Sequence, residues 1–193
     1  MRVPFLVSLM AVLCLSGCVL QSNVPIENDY SYNAEFGKYR TYSLFTDLSA
    51  KYPSSINIES IERIIAKRME LLGYGLDVKS PDILVAYSIH QKKIELPGFS
   101  QPNINTWMRD QDGEFEYNEK VYKLKKGTLL IQMIDHQTAK CIWNGYITDT
   151  YQKMIFRDDR KLNLAVTQIL DQYRFFARGF IDRSEYIVQG TNK

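Results

Sequence analysis

Thr128-Leu129-Leu130-Ile131-Gln132-Met133-Ile134-Asp135-His136-Gln137-Thr138-Ala139-Lys140-Cys141-Ile142-Trp143-Asn144-Gly145-Tyr146-Ile147 is the stretch on which the fold is read. Two apolar runs, 128–134 and 141–151, flank the polar break Asp135-His136-Gln137-Thr138. Asp at the start of a turn accepts bonds from backbone amides downstream, and Thr can close the turn, so the stretch predicts a β-hairpin. Side chains alternate across a strand. Leu129, Ile131 and Met133 therefore share one face, and Cys141, Trp143 and Ile147 are expected to share another. This places Cys141 inward as a buried, inert thiol.

Upstream, Asp82–Lys92 reads as a strand with Ile83, Val85, Tyr87 and Ile89 on one face. Leu84 and Ala86 make the other face apolar too, which predicts a central strand. Before it, Ile58, Ile61, Ile65, Met69 and Leu72 recur at helical steps behind an Asn57 cap, and Gly73 suits the helix end. Ile26–Tyr32 and Tyr39–Phe45 read as two short strands. Downstream, Asp158 or Asp159 caps a second helix whose apolar stripe is Leu162, Val166, Ile169, Leu170, Tyr173 and Phe176. The order β-β-α-β-β-β-α predicts an α+β domain over residues 26–183, followed by a tail, 184–193. Its expected form is a single antiparallel sheet of about four to five strands, with two helices on one face and the opposite face partly wet. Residues 95–125 fit neither period, and Pro97-Gly98 is a turn signal. Such a long irregular stretch is often functional or mobile. It also holds Leu96, Phe99, Trp107, Tyr117 and Tyr122, so it is sticky as well as irregular.

The 193 residues suit one domain, with 24 basic and 22 acidic side chains and a net charge of +2. That balance argues against a chain built to bind nucleic acid. Its 3 cysteines are too few for a disulfide scaffold.

The N-terminus departs from that average. Arg2 is the only charge before Glu27, and Val3–Leu15 is apolar apart from Pro4 and Ser8. A run this short falls below the roughly 20 residues needed to span a bilayer and reads instead as a secretory signal. It runs into Leu15-Ser16-Gly17-Cys18, which resembles a bacterial lipobox. The resemblance implies cleavage between Gly17 and Cys18 and a diacylglyceryl group on the Cys18 thiol. Residues 1–17 would leave, giving a mature chain of 176 residues (193 less 17) in which Cys18 is lipidated and Cys141 has no partner thiol. Two or three acyl chains give stable anchoring. Val19 stands where enterobacterial sorting places Asp to retain lipoproteins at the inner membrane, which points to the outer membrane. Residues 18–25 then form a lipidated cysteine and a short tether.

Three patches carry a wider resemblance. They are Asp29–Ser43 with Phe36 and Tyr39-Arg40-Thr41-Tyr42, then Pro81–Tyr87, then Gly127–Asp135 with Thr138, Lys140, Trp143 and Gly145. Together they resemble the DUF4136 domain family, bacterial lipoproteins of unknown function, across about residues 26–178. The family often has Trp where this chain has Leu44-Phe45, and Gly in the hairpin turn where this chain has Ala139. The resemblance implies an α+β fold in the cell envelope. It carries no catalytic residues to transfer.

Nothing in the pattern demands chemistry. No Gly-x-Ser-x-Gly, Walker loop or Gly-x-Gly-x-x-Gly occurs. A zinc site needs three or four ligands; His90, His136 and a thiol lack that spacing, so no metal or cofactor is expected. Asp82, Asp135, Asp149, Asp158 and Asp159 suit caps and turns. Lys120, Lys123, Lys125 and Lys126 form a local cluster. It reads either as a strand edge protected from aggregation or as a contact for anionic lipid. The candidate partner or ligand contacts are Trp107, Tyr117, Tyr122, Lys123, Lys125 and Lys126. The expected function is a non-catalytic lipoprotein on the periplasmic side of the outer membrane, anchored through Cys18 and binding or assembling an envelope protein partner. The alternative is a lipid-, glycan- or peptidoglycan-binding lipoprotein.

Overall fold

The computed structural model describes residues 26–45, 52, 56–100, 118–148, 150 and 155–180. The chain runs through β1 (Ile26–Tyr30), a 3-10 turn (Phe36–Lys38), β2 (Thr41–Phe45), α1 (Ile58–Leu71), β3 (Gly75–Leu76) and β4 (Ile83–His90). It continues through β5 (Ile94–Ser100), β6 (Asn118–Leu124), β7 (Thr128–Asp135), β8 (Lys140–Ile147), a second 3-10 turn (Ile155–Arg157) and α2 (Asp159–Leu170).

The local signals act as read. The Asn57 side chain accepts from the Ser60 amide at 3.0 Å and starts α1. Gly73 ends it at φ +86, a left-handed position that favours glycine. Asp158 accepts from the amides of Arg160 and Lys161 and caps α2. The apolar stripes of both helices, Ile61, Ile65 and Met69 with Leu162, Val166 and Ile169, enter one core with Ile83, Val85, Leu129, Ile131, Met133, Trp143 and Ile147. Trp143 is fully buried, with Tyr173 edge-on at 5.4 Å. Phe176 departs from the expected stripe. It is 43% exposed, because α2 ends at Leu170 and the helical period does not continue to it.

The expected single antiparallel sheet is wrong in two respects. The main sheet has 6 strands in the order β1-β8-β7-β4-β2-β3 and is mixed. β1, β8, β7 and β4 are antiparallel neighbours, whereas β2 lies parallel to both β4 and β3. The reason is α1. A helix between two strands returns the chain to the end where it began, so the next strand runs the same way. The second error concerns residues 95–125. Residues 94–100 and 118–124 are the antiparallel strands β5 and β6, a separate 2-stranded sheet. Pro97 and Gly98, read as a turn, lie within β5 opposite Val121 and Lys120. A two-stranded sheet has only edge strands, where proline's missing N–H is tolerated. Residues 101–117 lie outside the described part.

The hairpin of β7 and β8 forms as predicted, with one irregularity. Met133 pairs with Trp143, yet Ile134 pairs with Cys141, so Ile142 is an extra residue. This bulge reverses the alternation upstream of Trp143. Cys141 therefore sits exposed on the face away from the helices, which corrects its expected place beside Trp143. In the turn, Asp135 accepts from the Thr138 amide at 2.8 Å. Ala139 takes φ +55, the left-handed region that glycine enters freely.

Candidate functional site

The far face of the main sheet carries a second, smaller core. Leu130 and Tyr146 point away from the helices and are covered by β6 residue Leu124, with Ile94, Leu96 and Tyr122 packed around them. Tyr122 meets Tyr146 edge-on at 6.2 Å, and the Lys120 ammonium lies 4.6 Å above the Tyr122 ring. The Tyr146 hydroxyl donates to Glu27 on β1 at 2.6 Å. Burial, first, and that carboxylate push the Tyr146 phenol well above its ordinary value.

Where β5 crosses the edge of the main sheet, a half-open cleft of about 150 Å³ lies among Asp29, Pro97, Gly98, Cys141 and Asn144. A Cβ at position 98 would stand 2.5 Å from the Asp29 carboxylate and 2.7 Å from the Tyr122 ring, so only glycine lets β5 come this close. The Asn144 side-chain oxygen is buried and, among the described residues, has no hydrogen-bond partner. The Cys141 thiol donates to the Trp143 carbonyl at 3.3 Å and lies 3.8 Å from the Gln132 amide nitrogen. Burial of its sulfur raises the thiol pKa, which leaves it protonated and weakly nucleophilic at neutral pH. The cleft is lined by acceptors and is small; it suits a hydrogen-bond donor or water rather than a sugar ring.

A buried polar constellation lies next to this cleft, at the β7–β8 turn. Asp135, 3% exposed, accepts from the Tyr39 hydroxyl at 2.7 Å and faces Lys38 at 3.3 Å; Lys38 also reaches Glu35 at 3.2 Å. Burial works against the charged Asp135. The bonds from Tyr39, Thr138 and Lys38 outweigh it and hold the pKa at about 2. Nearby, Asp82 accepts from the Arg40 and Thr41 amides at 2.7 and 3.0 Å. These carboxylates fasten β2 and the β7–β8 turn to one another. His136 reaches the Pro81 carbonyl at 3.0 Å at this end. His90 contacts Ser88 at 2.9 Å at the other end of β4. Among the described residues no three His, Cys, Asp or Glu side chains converge as metal ligands.

Of the contact residues expected from the sequence, Tyr122 is half-buried in the second core and serves packing. Lys123 is exposed on β6, and Lys125 and Lys126 are exposed in the connection from β6 to β7. Gly17, Cys18, Trp107 and Tyr117 lie outside the described residues. The sequence reading missed Lys92 and Lys93, exposed in the connection from β4 to β5. They lie some 30 positions from the other lysines in the chain, and only the pairing of His90 with Thr128 and of Ile94 with Leu124 brings the two connections side by side.

No curated protein is similar enough to the chain to count as a relative. Among solved structures, a PDZ domain protein from Parabacteroides distasonis is similar at a TM-score of 0.44 and 15% identity. The likeness covers 79% of this chain but only 36% of that one. A PelC dodecamer from Paraburkholderia phytofirmans is similar at a TM-score of 0.39 and 11% identity, covering 80% of this chain and 98% of that one. Residues 26–173, which include every strand and helix among the described residues, match the domain of unknown function DUF4136, and the chain belongs to that family.

Proposed function

We propose that the protein is a non-catalytic, lipid-tethered module of the cell envelope, held on the periplasmic face of the outer membrane through Cys18 and binding or assembling a protein partner there. One observation carries the reading. The first described strand, β1, opens at Ile26 on the edge of the sheet, eight positions after the cysteine of Leu15-Ser16-Gly17-Cys18. Seven intervening residues reach at most about 25 Å, so an acylated Cys18 keeps the end of the sheet close to the bilayer. Two or more acyl chains make that attachment stable. The absence of Asp after Cys18 favours the outer membrane. The non-catalytic part of the reading is supported by the groups that could carry chemistry: Asp82, Asp135 and Asp158 bind backbone amides, and the two histidines lie at opposite ends of the sheet.

The test is Cys18→Ser in the native host with labelled palmitate. Incorporation is expected to disappear, and the protein to leave the outer-membrane fraction or remain uncleaved. Continued labelling together with unchanged fractionation would overturn the proposal.

A further inference from the structure

We draw no further inference here: the strongest candidate, the surface patch of exposed apolar side chains Leu71, Leu76 and Val78 at the end of α1 and along the edge strand β3, carries none, because nothing in the structure shows what covers it.

Discussion

Asp135 and Ala139 open and close the same turn, and each makes a separate prediction. Asp135 has an ordinary value of 3.8 in the unfolded chain and about 2 in the fold. A carboxylate with a depressed folded pKa contributes stability above its unfolded value and loses it as pH falls through the folded one. For Asp135 that window runs from about pH 4 down to about pH 2, and the contribution at neutral pH is roughly 2 kcal/mol. Asp135→Asn should lower stability at pH 7 by about that amount and flatten the pH dependence below 4, as measured by urea unfolding across pH; parallel curves for both proteins would refute the assignment. Ala139 at φ +55 holds a left-handed conformation that costs an L-residue about 1 kcal/mol. Ala139→Gly should raise stability by about 0.5–1 kcal/mol after the extra unfolded-state entropy of glycine is counted. Calorimetry checks this, and no change or a lower Tm would count against it. The departure from glycine at this position was visible in the sequence; the positive φ that gives it meaning was not.

Among elements, the β5–β6 hairpin differs from the rest in how it is held. Among the described residues its strands pair with each other alone, and it is attached to the main sheet through the small core of Leu124, Leu130 and Tyr146 and the close approach of Gly98 to Asp29. Elements with few buried contacts open locally before the domain unfolds. Truncating a buried leucine costs about 2–5 kcal/mol, and for Leu124→Ala that loss should fall on the hairpin. Amide exchange at Val121–Lys123 is expected to accelerate, while Val85 in β4 and Ile131 in β7 keep their protection. Equal loss in all three strands would show that the hairpin belongs to the main cooperative unit. This element was also the least legible. The helices declared themselves through period and caps, and β4, β7 and β8 through apolar alternation. β5 holds Pro97 and Gly98, and its partner strand begins 18 positions after β5 ends, so no local pattern signals the pair.

At the scale of the whole molecule, the domain has two unlike ends. One fastens β2, β4 and the β7–β8 turn through Asp82 and Asp135; the other brings together the start of β1, the end of β4 and the two connections that carry exposed lysine pairs. The sequence by itself determined the local choices: where both helices start and where α1 stops, that β4 is central, that Asp135 makes a turn, and that Leu15-Ser16-Gly17-Cys18 resembles a lipobox. These depend on neighbours within a few residues, where periodicity and capping chemistry act. Only the tertiary structure decided the parallel path of β2, the covered far face, the outward turn of Cys141, and the meeting of Lys92-Lys93 with Lys125-Lys126. Each depends on contacts between distant segments or on a one-residue bulge, and alternation along a single strand contains neither.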